Sequence, residues 1–511
     1  MPSRHIQFYG LWLIPLLLGM FAFGLHGANQ DSMWFDEVGT LFNAGGVSYD
    51  GLPLEQPVSL REVWHIIREF DPIHPPGFYG LLWVWCQFTG WTAFTARALS
   101  SVFGLLTVAL MARLGQQIIG RGAGNLVAWL FGTAAFMAHY LHEIRMYTLL
   151  PMLVALCLWS YWQVMGRARP RWGFAALFVV SVAGLMYTHI LAATVLLALA
   201  LYHLLFARKT IVWGWVVGLV IVSAVLYLPW LPTLWQLVAG TGGGTPRDGA
   251  FSTAKILWDG LAIFSNSLLQ RPTDWITSFV PIAALLSLLA AGSRWRGRAF
   301  IATLLGVTSL LILLIHLQTA MFIHIRYLIV LFPVVMLWLG AGLYSLSQRF
   351  GARWKSALQV GVIGLWVIAG WGQYSGFEAF YNRDSQWTLA WQDMLPMLAE
   401  VAQPEDTVIV LAAGSRSWWD YARAQTYYLH ELPAHLTVTP LRPYPSFAVY
   451  AQQFDEQLPN GGRVLAVRDT SQAANVQADF IRAMAERGYV GCLSTSVGRI
   501  TLEIYNLGNC S

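Results

Sequence analysis

Four short stretches of this chain gather side chains of the kind that move protons or hold phosphate. The first is Trp34-Phe35-Asp36-Glu37-Val38, with two adjacent carboxylates. A carboxylate of this kind can take a proton from a hydroxyl nucleophile, or it can simply end a helix in water. The second is Asp71-Pro72-Ile73-His74-Pro75-Pro76, where prolines stiffen the chain around His74. The third, His139-Tyr140-Leu141-His142-Glu143-Ile144-Arg145-Met146-Tyr147, places Glu143 and Arg145 between two apolar stretches, where isolated charges are costly. The fourth runs from His316 to His324-Ile325-Arg326-Tyr327. Guanidinium groups match phosphate oxygens in a fork geometry, so Arg145 and Arg326 are candidate anion ligands. Arg97 is a third, although its place at a span edge equally suits an anchor. His74, Glu143, Tyr147 and Tyr327 complete the set of candidate substrate-site residues. His139 and His142 can share a helical face, but no third ligand follows at metal-site spacing; no metal is expected, and a divalent ion is the lesser reading.

The elements that must carry these residues are apolar helices. Of 511 residues, 56% are hydrophobic and 11% charged, against about 25% charged in ordinary soluble proteins. Stretches of about 20 apolar residues recur, the length needed to cross a bilayer. They lie near 8–27, 97–118, 122–138, 147–165, 173–189, 190–206, 211–233, 276–292, 299–317, 326–346 and 356–374. The expected fold is therefore a polytopic α-helical membrane protein of about eleven spans.

Charge gives the orientation. Arg4, Arg113, Arg121, Arg167, Arg169, Arg171, Arg208, Lys209, Arg294, Arg296, Arg298, Arg349, Arg353 and Lys355 fall on one side of the alternating spans, which the positive-inside rule makes cytoplasmic. Every acidic residue before position 378 falls on the other. This predicts a cytoplasmic N-terminus, an outer C-terminal region and an uncleaved first helix. Residues 1–377 hold 22 basic and 12 acidic side chains, and 378–511 hold 9 and 14. The basic excess is thus topological and excludes nucleic acid as an expected partner.

Two outer loops and a tail stand apart from the spans. The loop at 28–96 contains an amphipathic helix over 60–70 and a Trp-rich apolar run, Gly77 to Phe88, suited to lying along the interface. The loop at 234–275 opens with the glycine run Gly240 to Pro246, readable as a lid or as a plain linker. Residues 378–511 have soluble composition. A helix over 389–401, strands over 407–411 and 462–467, a helix over 473–487 and a hairpin over 491–496 and 499–505 predict a small outer α/β domain. The domains are thus 1–377 and 378–511. Cys86 and Cys157 sit in apolar stretches; Cys492 and Cys510 lie where an oxidising compartment would permit a bridge, which spacing alone does not decide.

The order of these motifs resembles the polytopic GT-C glycosyltransferases, specifically family 39 and the lipid A aminoarabinose-transferase-like group, which includes protein mannosyltransferases. The resemblance is carried by Asp36-Glu37, His74-Pro75-Pro76-Gly77-Phe78-Tyr79, Arg97 to Val108, Glu143 to Tyr147, and Arg326-Tyr327 before Phe332-Pro333. Gly77 departs from the commoner Leu, and the tail lacks the trefoil repeats of eukaryotic protein mannosyltransferases. The resemblance implies transfer of a hexosyl or pentosyl group from a polyprenyl-phosphate donor to a glycan, lipid or protein acceptor on the outer face. It assigns Asp36 as base with Glu37 beside it, an inverting displacement, and residence in the bacterial cytoplasmic membrane. The competing class is a lipid or small-molecule transporter, disfavoured because the ionisable residues gather at one face and no inverted repeat is visible. A non-catalytic receptor or assembly factor is a third reading.

Overall fold

A computed structural model describes residues 11–26, 28–29, 32–49, 51–167, 171–241, 253–266, 279–318, 325–382, 391–403, 406–411, 427–428, 437–441, 462–469, 474–497 and 500–510. The chain forms two compact units. One comprises residues 1–26 and 63–375; the other comprises 27–62 and 376–511. Part of the first long loop therefore belongs to the same unit as the tail.

The helices, in chain order, are α1 (Leu13–Leu25), α2 (Phe35–Asn43), α3 (Leu60–Phe70), α4 (Gly77–Thr89), α5 (Ala93–Ile118), α6 (Ala123–Gly132), α7 (Ala135–Leu141), α8 (Leu149–Met165), α9 (Trp172–Thr188), α10 (Ala192–Leu205) and α11 (Ile211–Tyr227). A 3₁₀ turn, Leu228–Trp230, continues α11 into α12 (Leu231–Thr241). Then come α13 (Thr253–Ser265), α14 (Val280–Gly292), α15 (Arg298–Gln318), a 3₁₀ turn at Ile325–Val330, α16 (Phe332–Ser347) and α17 (Ala352–Asn382). The expected helices at 60–70 and 77–88 are present as α3 and α4. The stretch 122–138 is broken into α6 and α7. Of the glycine run, residues 242–246 lie outside the described residues, as do 267–278 of the second loop.

Among the described residues, three helices are long and apolar enough to cross a membrane: Ala93–Ile118, Ile211–Leu237 and Arg298–Leu317. Eight shorter apolar helices of 10–17 residues coincide with the other expected spans. All but Trp354–Gly370, which is part of the 31-residue α17, fall short of the roughly 20 residues that a perpendicular crossing needs. Helix length alone thus leaves the count of eleven crossings unestablished. The exposed surface of α11 is nonetheless apolar, with Ile211, Ile221, Val225 and Leu226 outermost. Such a face is stable in hydrocarbon rather than in water.

Within the helical unit, α5 is the central strut, touching α1, α4, α6, α7, α8 and α16. The buried positions Arg97, Ser100, Ser101, Gly104, Val108 and Met111 recur at intervals of three and four, the period of one helical face. Thr92 caps its first turn by accepting the Thr95 amide at 3.2 Å. The two ends of the unit differ in chemistry. One end holds the polar connectors between α7 and α8 and between α9 and α10. At the other, Arg167 donates to Gln163, Arg296 lies over Trp162, Lys209 over Trp213 and Lys355 over Tyr344.

The second unit contains α2, α18 (Trp391–Val401), α19 (Ala474–Glu486) and a five-stranded sheet. Its strands are β1 (Thr407–Leu411), β2 (Thr437–Leu441), β3 (Val464–Asp469), β4 (Tyr489–Val497) and β5 (Ile500–Leu507). They lie in the order β2-β1-β3-β5-β4. β1 pairs in parallel with β2 and β3, and β5 pairs antiparallel with β3 and β4. The expected terminal hairpin is β4–β5, and β2 is an element the sequence reading did not contain. Ile409, Val464, Ala466, Phe480, Met484 and Tyr505 form the core between α19 and the sheet. Arg463 pairs with Asp406 at 2.8 Å, fixing the entry to β1. The hydroxyl of Tyr505 donates to Glu503, and burial pushes its pKa up.

Cys492 on β4 is bridged to Cys510 by a disulfide, while Cys86 and Cys157 are buried thiols. The bridge ties the chain end to the sheet edge. Loop-closure entropy predicts that replacing both bridged cysteines with Ser costs about 2–4 kcal/mol. Hydrogen exchange at β4 and β5 is expected to accelerate accordingly, with the helical unit unchanged.

Candidate active site

The second unit positions the Asp36-Glu37 pair through local chemistry. Glu37 occupies the third position of α2, and its carboxylate accepts the Trp34 amide at 3.3 Å, satisfying a backbone donor that the helix itself leaves open. Glu37 is fully buried, whereas Asp36 is half-buried. The Asp36 carbonyl accepts from the Thr40 hydroxyl at 2.7 Å, an ordinary helical contact. The segment entering α2 is anchored as well. The Met33 amide donates to the hydroxyl of the buried Tyr428, and the Gln392 amide donates to Ser32 at 3.1 Å. The two adjacent carboxylates are thus distinct: one is a buried cap, the other is partly open.

In the helical unit, the remaining sequence-predicted residues collect at one end. The first turns of α5 hold the α7–α8 connector by its backbone. Ser100 donates to the Glu143 carbonyl at 2.6 Å, and Ser101 reaches the Leu141 and Gly24 carbonyls at 3.4 and 3.2 Å. Every residue from Leu141 to Leu150 is buried. His142 is fixed from one side by the Phe23 carbonyl at 2.7 Å and stacks on the Phe23 ring at 5.0 Å. Burial pushes its pKa down to about 4, and the Arg97 guanidinium adds to that direction against the Phe23 hydrogen bond. His139 meets the Glu143 carboxylate at 3.2 Å. The two histidines therefore face different partners. Among the described residues no group of three or more His, Cys, Asp or Glu is arranged to hold a metal ion. Arg97 is fully buried beside this connector, which is not the environment of a solvated anchor.

Beyond Glu143 the connector delivers Arg145 and Tyr147 to a shared cluster. The guanidinium carbon of Arg145 lies 5.8 Å from the Tyr147 ring centre, and that of Arg326 lies 5.9 Å from the same ring. Two residues about 180 positions apart in sequence thus meet over one phenol. Arg326 also lies 5.5 Å from the Tyr327 ring. Arg145 is buried and Arg326 half-buried. Two guanidinium groups beside one aromatic ring form a positive region among apolar helices, where attraction for an anion is stronger than in water.

His74 enters from the loop before α4. Its Nδ1 meets Asp71 at 2.8 Å, and Tyr79 donates to the other Asp71 oxygen at 3.3 Å. Its ring is 6.1 Å from that of His189, which in turn is 5.3 Å from Tyr327. His189 is absent from the sequence-predicted set because it falls at the very end of the expected span 173–189. In the structure α9 ends at Thr188, and His189 caps it in the turn before α10. It is buried, and desolvation pushes its pKa down to about 3, with His74, Arg145 and Arg326 acting in the same direction. The usable signal was an imidazole in a turn that alternation places on the same side as Glu143 and Arg326.

Gly77 brings these parts together. A Cβ at position 77 would lie 2.7 Å from the Tyr187 carbonyl oxygen, two residues before His189. Only glycine lets the His-Pro-Pro turn approach the end of α9 this closely. The departure from Leu noted in the sequence thus has a steric reason.

Solved structures of other proteins share this fold. ArnT from Cupriavidus metallidurans has this architecture: its apo structure superposes with a TM-score of 0.59 at 14% identity, covering 100% of this chain and 99% of that one. The same enzyme bound to undecaprenyl phosphate gives 0.56 at 14% identity, covering 96% and 98%. The mycobacterial arabinofuranosyltransferase AftD gives 0.53 at 14% identity, and this chain spans 40% of its length. No protein-family model matches the chain, and no curated protein matches it in sequence.

Gly77→Ala is expected to destabilise the helical unit by about 1–3 kcal/mol, the usual cost of forcing an atom into backbone contact. Thermal unfolding of the purified protein measures this, and unchanged unfolding would mean that the turn and α9 do not pack as described.

Proposed function

We propose that the protein is a membrane glycosyltransferase that moves a sugar from a polyprenyl-phosphate-linked donor to an acceptor hydroxyl. The observation that carries this reading is the meeting of Arg145 and Arg326 over Tyr147, in a chain sharing its fold with an enzyme solved with undecaprenyl phosphate. A lipid phosphate presents an anionic head on an apolar tail. A pair of guanidinium groups, one buried and one half-buried, at one end of an apolar bundle suits both parts. Arg97, buried beside His142, contributes positive charge to the same end rather than a direct ligand in this reading.

In the proposed reaction Asp36 takes the proton of the acceptor hydroxyl. The oxygen then attacks the anomeric carbon, the bond from that carbon to the phosphate oxygen breaks, and its electron pair stays on the leaving phosphate. Arg145 and Arg326 stabilise the charge that grows there. One displacement inverts the anomeric centre. Glu37, as a buried cap, is proposed to set the geometry of α2 rather than to exchange protons. His74, held by Asp71, and Tyr147 and Tyr327, which flank the arginines, are proposed to line the donor site. Glu143, paired with His139, is proposed to hold the connector that presents Arg145. No cofactor is included in the scheme.

The basic residues at the far end of the helices support a topology with that end in the cytoplasm and the arginine cluster at the outer face. In this scheme the membrane is the bacterial cytoplasmic membrane, crossed by about eleven helices, with the tail outside.

Purified protein incubated with a panel of hexosyl and pentosyl polyprenyl phosphates is expected to release free polyprenyl phosphate from one of them. Asp36→Asn is expected to reduce that release by about 10²-fold or more, the contribution of a general base, with insertion and folding intact; normal release would remove Asp36 from the base role. Arg326→Ala is expected to raise the donor KM by roughly tenfold or more, since hydrogen bonds to charged groups are among the stronger ones. An unchanged KM would argue against phosphate at this position.

A further inference from the structure

His189 combines three properties that go beyond the arginine cluster. Its Nδ1 accepts the Leu191 amide proton at 3.1 Å, capping the start of α10 from within the turn. A ring nitrogen that accepts a hydrogen bond carries no proton, so the neutral ring is fixed as the Nε2–H tautomer. Nε2 is the distal nitrogen of the side chain, away from the backbone. Among the described residues it has no protein acceptor. The ring is flanked by His74 and Tyr327, and the charges of Arg145 and Arg326 reach it. Protonation would turn Nδ1 into a donor facing the Leu191 N–H, and would add a third cation beside two guanidinium groups. Both effects keep the ring neutral.

We propose that His189 donates its Nε2–H to an oxygen of the donor's phosphate, as an uncharged ligand within reach of the two guanidinium charges. The proposal rests on the phosphate-site reading above and adds a residue that the sequence motifs do not contain. The ring does not act as a general acid. Giving up the Nε2 proton while Nδ1 holds the Leu191 bond would leave an imidazolate, so the proton stays on nitrogen throughout. Its contribution is a directed hydrogen bond that strengthens as charge develops on the leaving oxygen. An additional cation there would hold the dianionic product more tightly; a neutral donor orients the phosphate without that penalty on release.

The geometry of Asn and Gln separates this role from the helix cap. The Asn amide oxygen sits near the position of Nδ1 and can accept from Leu191, but nothing reaches the Nε2 position. The Gln amide nitrogen reaches that position and can donate. Binding of undecaprenyl phosphate to the full chain in detergent is measured for wild type and for His189→Asn, His189→Gln and His189→Ala, with thermal unfolding of each. The expected result is that His189→Asn unfolds like wild type yet binds roughly ten- to a hundredfold more weakly, while His189→Gln recovers to within about threefold of wild type. His189→Asn binding like wild type would overturn the proposal. So would His189→Gln binding as weakly as His189→Ala, because the ring would then act only through packing. Failure of the wild type to bind the lipid would refute the phosphate-site reading itself, a distinguishable outcome. If His189→Asn does not fold, the ¹⁵N resonances of His189 decide: an Nε2–H signal that shifts on lipid addition supports the role, and one that does not move contradicts it.

Discussion

The helical unit depends on how two arginines, Arg145 buried and Arg326 half-buried, are accommodated at one end of an apolar bundle. An isolated cation in such surroundings is costly, so the fold must bring polar and aromatic partners to it or leave the position to an anion. Tyr147 lies under both guanidinium groups, and Tyr327 lies beside one of them. The tyrosine and arginine of the α7–α8 connector can reach this place only because Ser100 and Ser101 hold that connector by its carbonyls. Those serines in turn sit one helical turn beyond Arg97 on the buried face of α5. The polar end is therefore one construction in which each residue supports the next. The opposite end, with its basic residues resting on Trp and Tyr rings, has no such buried cluster of arginines among the described residues.

How far this was readable from sequence follows from the chemistry of each residue. Arg145, Glu143 and Arg326 were legible because a charge in an apolar stretch demands an explanation. The spacing of Asp71 and His74 was legible because prolines fix that turn. What the sequence could not show was that Arg145 and Arg326 share one ring, since nothing local relates residues so distant. His189 was hidden because it falls at the last position of the expected span 173–189, where a histidine reads as an ordinary helix end. Gly77 looked like an irregularity until the Tyr187 carbonyl appeared beside it. In the tail, β2 escaped notice because Thr437–Leu441 contains Pro440, which argues against a central strand; the structure places β2 at the sheet edge, where proline is tolerated.

The Asp36-Glu37 pair shows a different limit. Side by side in sequence, the two carboxylates carry the same chemistry, and only the family resemblance singles out Asp36. The start of α2 separates them, because successive helical residues point about 100° apart. Glu37 turns inward to cap the helix by accepting from Trp34, while Asp36 keeps part of its surface open. This asymmetry is why a single base, rather than a carboxylate pair, enters the proposed reaction. It also gives Glu37 a structural reason to be acidic that is independent of chemistry at Asp36.

The central claim is that the end of the bundle bearing Arg145, His189 and Arg326 receives a lipid phosphate. A photoactivatable polyprenyl phosphate, crosslinked to the full chain in membranes and mapped by mass spectrometry, tests it most directly. The account predicts labelled peptides from 139–147, 186–192 and 325–331, with labelling displaced by unmodified undecaprenyl phosphate. Labelling confined to the basic residues at the opposite end, or not displaced by the unmodified lipid, would contradict it.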